Sequence, residues 1–150
     1  MFVTDPIGII GEAHAAKVLE KSGFRITERN WRMGHLEVDL IAESKQEIVF
    51  AEVKARTTGY GGKMPEEYVD ENKKQRMVAA ANAYIKQHKC TKIPRFDIIG
   101  ILVDPQTQEI TYCNHMTNAF HPHVRTIHAN SYSGSIKWKH RNFTIGNKRT

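Results

Sequence analysis

Cysteine is scarce in this chain of 150 residues. Cys90 and Cys113 are the only two, with no CxxC spacing and no ligand residues set around them. That excludes a disulfide scaffold or a thiolate metal site and fits a reducing, cytoplasmic setting. Long apolar runs are missing as well, and the start Met1-Phe2-Val3-Thr4-Asp5-Pro6 lacks the charged-then-apolar order of a signal peptide. No membrane partner is therefore expected. Acidic residues are absent from 121–150, which carries six of the 22 Lys and Arg, so the formal +6 charge resides there. The first 120 residues balance 16 basic against 16 acidic groups and show no internal repeat or linker. With 40% hydrophobic and 25% charged residues the composition is that of an ordinary globular domain.

Two β-rich runs carry the chemistry. Leu36-Glu37-Val38-Asp39-Leu40-Ile41 is followed by the polar Glu43-Ser44-Lys45-Gln46 and then by Ile48-Val49-Phe50-Ala51-Glu52-Val53-Lys54. This pattern predicts a hairpin. Alternation places Glu37 and Asp39 on one face and Glu52 and Lys54 on one face. With Ala42 paired to Glu47 across a four-residue turn, Glu37 would lie opposite Glu52 and Asp39 one diagonal step away. Ile48 and Phe50 share that face, so the patch should be half-buried. Like charges gathered in a half-dry place call for compensation, and a divalent cation is the usual one. A solvated outer face is the competing reading, but Ile48–Ala55 is apolar on both sides, as in a central strand.

A further acid stands where an apolar residue is expected. The first helix should start at Asp5-Pro6 and end near Gly23. Glu12 precedes Ala15, Ala16 and Leu19 at helical spacing and so lies on the buried stripe. Its alternative role is stabilisation by the positive end of the helix dipole. A strand over Phe24–Arg32 leads into the hairpin. A second helix follows over Asp70–Gln87, with Lys73, Lys74 and Arg76 in its first half. Buried strand Arg95–Val103 and a short strand Glu109–Asn114 complete an α-β-β-β-α-β-β order. His115, His121, His123 and His128 match no closed zinc site. Residues 121–150 interleave Arg125, Lys137, Lys139 and Arg141 with Tyr132, Trp138 and Phe143. That mixture suits phosphate contact and base stacking, and the alternative is a solvated terminal extension.

Gly11-Glu12, Asn30-Trp31-Arg32, Glu37–Ala42, Phe50–Arg56, Lys73, Arg95-Phe96-Asp97 and Asn118-Ala119-Phe120 occur in the order found in the YraN family. The chain resembles that family over about residues 5 to 120. Its members are small bacterial proteins of poorly defined function, placed in the restriction-endonuclease-like, or PD-(D/E)XK, superfamily. The region is also similar to the core of archaeal Holliday-junction resolvases. The resemblance implies an α/β fold with a restriction-endonuclease-like core: a mixed central sheet of about five strands flanked by two main helices. It further implies a nuclease-like domain over 1–120 and leaves 121–150 as a basic extension. Asp39 and Glu52 would hold Mg²⁺ or Mn²⁺ with the Val53 carbonyl, and Glu37 would stand just outside the ligands. Lys54 would be the catalytic lysine, and Glu12 an added acid acting on the metal through water.

The expected activity is metal-dependent hydrolysis of phosphodiester bonds in DNA, branched or junction DNA in particular, with DNA preferred to RNA. The cation would neutralise phosphate charge and lower the pKa of water, and Lys54 would serve as donor rather than free base. Arg56, Lys73, Lys74 and Arg76 are candidates for holding the phosphate backbone, with Arg125, Lys137, Trp138, Lys139 and Arg141 adding contacts from the extension. Two rivals stand: a nucleic-acid-binding module with little cleavage, and an interaction protein with a relic acid cluster. Metal affinity that disappears with Asp39→Ala separates both nuclease-fold readings from the last. The residues are as compatible with a homodimer as with a monomer.

Overall fold

The computed structural model describes residues 5–59 and 61–122. Helix α1 spans Pro6–Lys21, and the Asp5 side chain caps it by accepting the Ile7 N–H at 3.1 Å. Strands β1 (Arg25–Met33), β2 (Leu36–Glu43) and β3 (Glu47–Thr57) follow. A 3₁₀ turn at Pro65–Tyr68 leads to α2, Glu71–His88, whose cap Asp70 accepts the Lys73 N–H at 2.8 Å. Strands β4 (Ile93–Val103) and β5 (Ile110–Met116) close the fold. The five strands lie side by side in chain order. Among the described strands only β3 and β4 run parallel, and α2 lies in the crossover that such a pair requires. The fold is thus the two-helix, five-stranded mixed α/β arrangement expected of a nuclease-like core.

The sheet is covered on both sides, and each helix supplies one core. Ala15, Ala16 and Leu19 of α1 pack on Leu40, Ala42, Val49, Ala51, Ile99 and Ile101. Met77, Val78, Ala81, Tyr84 and Ile85 of α2 pack on Val38, Ile41, Ile48, Phe50, Phe96 and Ile98. Burial on both faces explains the continuous apolar run of β3. Gly11 sets how closely α1 approaches. A Cβ at that position would stand 2.6 Å from the Ala55 Cβ, so only glycine lets the helix lie against β3 there.

The hairpin differs in register from the expectation. Ala42 pairs with Val49, and Glu43 with Ile48. Ser44 tightens the turn: its N–H donates to the Glu47 carbonyl at 2.9 Å while its Oγ accepts the Glu47 N–H at 3.0 Å. The connection therefore shrinks to Lys45-Gln46, and the register moves by two residues. Because strand faces repeat every two residues, this shift keeps every β3 side chain on its expected face. It changes which acids are neighbours.

Strand β2 also changes face along its length. Leu36 and Val38 pack in the α2 core, whereas Leu40 and Ala42 pack in the α1 core. Strict alternation would keep all four on one side, so the strand rolls over at Asp39. Opposite the break, Asn30 of β1 has φ +50°, a left-handed conformation that asparagine tolerates better than most residues. Between β1 and β2 the register runs through Arg29↔Leu40 and Trp31↔Val38, bracketing this pair. The β2–β3 ladder runs only from Glu43↔Ile48 to Leu40↔Ala51. Beyond that point the Val53 N–H donates instead to Asp39 Oδ2 at 2.8 Å.

Candidate active site

The site forms where β2 leaves β3. Continuing the register beyond Leu40↔Ala51 aligns Asp39 with Glu52, and their carboxyl groups lie within hydrogen-bonding reach. Glu52 is only 5% exposed. Lys73 Nζ of α2 stands 3.4 Å from Glu52 Oε1, and Lys54 Nζ stands 3.9 Å from Glu52 Oε2. Two acids and two lysines therefore share one half-dry patch on the α2 side of β3.

Burial and repulsion from neighbouring acids outweigh the pull of these lysines on the two acids. Burial, then the Asp39 charge, pushes the Glu52 carboxyl up to about 7 against the pull of Lys73 and Lys54. Burial also raises Asp39, with a further push from Glu37, although the Val53 N–H, Lys73 and Glu52 oppose it. Glu12 is raised by burial and by Asp39, and Asn30 Nδ2 donates to Glu12 Oε1 at 3.4 Å. The acid on the α1 stripe thus senses the strand acids and is held by the asparagine at the break in β1.

Glu37 does not lie opposite Glu52. Its carboxylate pairs with Arg32 at 3.2 Å and is 47% exposed on the strand margin, so it acts on Asp39 and Glu12 by charge alone. The two-residue register shift is the cause. Among the proposed phosphate contacts, Lys73 lies within the site and not beside it. Lys74 pairs with Glu71 at 3.3 Å and sits over the Phe120 ring at 5.6 Å. Arg56 donates to the Ala55 carbonyl at 2.8 Å and lies over Tyr68, while Arg76 is exposed on α2. Arg125, Lys137, Trp138, Lys139 and Arg141 lie outside the described residues.

Sequence reasoning named Lys73 as a phosphate contact but not its place beside Glu52, and it did not single out Asn30 or Glu66. Lys73 stands four residues before Met77 and eleven before Tyr84, on the buried stripe of α2, which is the same signal that singled out Glu12. Asn30 carried a weaker signal, as an asparagine inside a strand pattern. Glu66, on the 3₁₀ turn, had none in the sequence. Its Oε2 accepts the Tyr112 hydroxyl at 2.6 Å and Asn114 Nδ2 at 2.9 Å.

A hard divalent cation fits the donors present. Among the described residues no three His, Cys, Asp or Glu side chains form a cage by themselves. Mg²⁺ does not need one, since it keeps several waters and binds through one or two carboxylates plus substrate phosphate. Asp39 spends Oδ2 on the Val53 N–H, leaving Oδ1, while a cation would share the Glu52 oxygens with Lys73 and Lys54. A strand residue points its N–H and C=O to the same side, so the Val53 carbonyl faces the edge that Asp39 occupies. These are oxygen donors only, which suits Mg²⁺ or Mn²⁺ better than zinc.

The fold is an α/β sheet of nuclease-like order, opened at a carboxylate pair flanked by two lysines. The sequence model of the Uncharacterised protein family UPF0102 matches residues 11–101, and the chain belongs to that family, the YraN family. The UPF0102 protein TTE1452 of Caldanaerobacter subterraneus subsp. tengcongensis is 42% identical, over 76% of this chain and 93% of its own. A UPF0102 protein of Bacteroides thetaiotaomicron is 40% identical over 77% of this chain and 93% of its own. One of Oleidesulfovibrio alaskensis is 40% identical over 68% of this chain and 50% of its own.

Proposed function

We propose that the protein is a divalent-metal-dependent endonuclease that hydrolyses phosphodiester bonds in DNA. The observation that carries this reading is the Asp39–Glu52 pair, half-buried at Asp39 and buried at Glu52, raised in pKa and set beside Lys54 at the point where the sheet opens. When bound, the cation would supply charge neutralisation of the phosphate and activation of water. Asp39, Glu52 and the Val53 carbonyl would hold it. Lys54 donates to the non-bridging phosphate oxygens, whose charge grows as water forms the new P–O bond and the bond to the departing sugar oxygen breaks. Lys73 holds Glu52 in place and presents a second ammonium to the phosphate. Glu12, fixed by Asn30, accepts hydrogen bonds from water on the α1 side. Arg56, Lys74 and Arg76 line the approach for the backbone. Residues 1–120 would form the nuclease-like domain and 121–150 a phosphate-binding extension. The family resemblance, and not the site, favours DNA over RNA and branched over linear duplex.

One observation favours a second reading. Both Lys54 and Lys73 reach Glu52, and two ammonium groups that permanently satisfy it would leave a binding module with little cleavage. A cleavage panel of linear, flapped, four-way-branched and single-stranded DNA and RNA with Mg²⁺ or Mn²⁺ separates the two. Lys54→Ala should bind the preferred substrate within about threefold of wild type while losing at least about a hundredfold in turnover. A mutant that cleaves like wild type would refute the mechanism. Wild type that binds but never cleaves would select the binding module.

A further inference from the structure

Glu66 has one carboxylate oxygen engaged and one orphaned. Tyr112 and Asn114 both donate to Oε2, whereas Oε1 is buried and takes no hydrogen bond from any other described residue. A buried acceptor left unpaired is costly, so the arrangement calls for a donor. Its location names that donor. Glu66 lies over Gly100 of β4: a Cβ at Gly100 would be 2.1 Å from Glu66 Oε1 and 2.9 Å from the Glu66 N. The carboxylate thus occupies the space in which residue 100 would carry its side chain. Gly100 pairs in register with Lys54 across the parallel β3–β4 ladder. In-register side chains on adjacent strands share a face and stand about 5 Å apart, so Glu66 becomes the cross-strand neighbour of Lys54. Lys54 itself is held loosely, 3.9 Å from Glu52 Oε2.

We infer that Glu66 is a positioning residue of the active site: its Oε1 is the second acceptor for Lys54 Nζ, steadying the lysine between Glu52 and the substrate phosphate. This rests on the role given to Lys54 above. The missing side chain at Gly100 is what admits the carboxylate, and Tyr112 and Asn114 of β5 aim it. The outer strand thereby takes part in a site whose acids lie on β2 and β3.

Glu66→Gln tests this cleanly. The amide oxygen can still accept from Tyr112 and Asn114, while an NH₂ group replaces Oε1 and offers Lys54 no acceptor. The readout is the separation of the two Hε resonances of Lys54 in the full-length protein at fixed pH, which is large only when the side chain is held. Wild type should show a clear separation, and Glu66→Gln should collapse it to that of exposed Lys45. Gly100→Ala, which drives the carboxylate out, should do the same. Should Gly100→Ala fail to fold, Tyr112→Phe, which removes one aiming bond, should give an intermediate separation. In cleavage assays Glu66→Gln should lower kcat about tenfold with KM within about twofold, as expected when only a transition-state contact is weakened. An unchanged Lys54 separation in folded Glu66→Gln overturns the inference. Failure of wild type to cleave any substrate would instead overturn the nuclease reading, and the Lys54 resonances would still decide the role of Glu66.

Discussion

Two carboxyl groups within hydrogen-bonding reach, in a place that water barely enters, cannot both ionise cheaply. Asp39 and Glu52 are in this state, and a cation would displace the proton they hold. Calorimetric titration with Mg²⁺ or Mn²⁺ should therefore show binding by wild type that Glu52→Ala abolishes. The affinity should rise as pH increases through about 7, where Glu52 gives up its proton. Equal binding by both proteins would discard the metal site. A second buried acid works in the opposite sense. Asp97 is fully buried and, although burial pushes its pKa up, His115, Arg95 and the Asn118 N–H together bring it below the ordinary value of 3.8. Arg95 grips it through two bonds, of 2.9 and 2.8 Å, and His115 Nε2 stands 2.6 Å away. A depressed folded pKa gives stability that is complete above the unfolded value and lost as pH falls through the folded one. Asp97→Asn should cost about 3 kcal/mol at neutral pH and flatten the fall in stability between about pH 5 and 2, measured by urea denaturation. At this scale Asp39, Glu52 and Lys54 were legible because strand alternation is local. Glu66 was not, because only a tertiary contact with Gly100 brings it to the site.

Elements carry the next layer of information. Caps and apolar periodicity marked both helices: Asp5 and Asp70 stand as N-caps, and α1 and α2 begin one residue later. The order of strands was readable for the same reason. The hairpin register was not, since Ser44 can serve a four-residue turn or close a two-residue one, and the choice depends on bonds to Glu47. Nor was the roll of β2 at Asp39, where an alternating pattern in sequence conceals a change of face. The seating of α1 offers a direct test. Gly11→Ala introduces a methyl group against the Ala55 Cβ at 2.6 Å. The helix must lift, so the variant should lose about 1–3 kcal/mol in chemical denaturation even though alanine favours helix. A gain in stability would show that α1 is not held in close contact with β3. The lifted helix carries Glu12 away from Asp39, and turnover should fall with it.

At the scale of the whole molecule, charge is divided between a neutral body and a basic end. The first 120 residues balance, and the six surplus cations follow them. No described helix is long and apolar enough to cross a membrane. Phe120 stacks on Phe96 at 4.9 Å, and the Ala119 N–H donates to the Phe96 carbonyl at 2.7 Å. The chain is therefore fastened to the core up to that point. A truncation after Pro122 should keep the far-ultraviolet spectrum and the metal affinity of the full chain. Its binding to DNA should depend less on salt, with the slope of log affinity against log salt flatter by roughly two to four units. An identical slope would remove the extension from the binding surface, and loss of fold would place its aromatics in the core.

The roll of β2 at Asp39 has a mechanical consequence. Leu36 and Val38 before it pack under α2, Leu40 and Ala42 after it pack under α1, and Ile41 stays under α2, so the proposed ligand stands where β2 begins to feed both cores. A cation bound there would brace both layers at once. Amide exchange should then slow in α1 and α2 together when metal is added, although the two helices pack on opposite faces of the sheet. Slowing confined to one helix would mean that the layers stay independent and that Asp39 joins them in shape only.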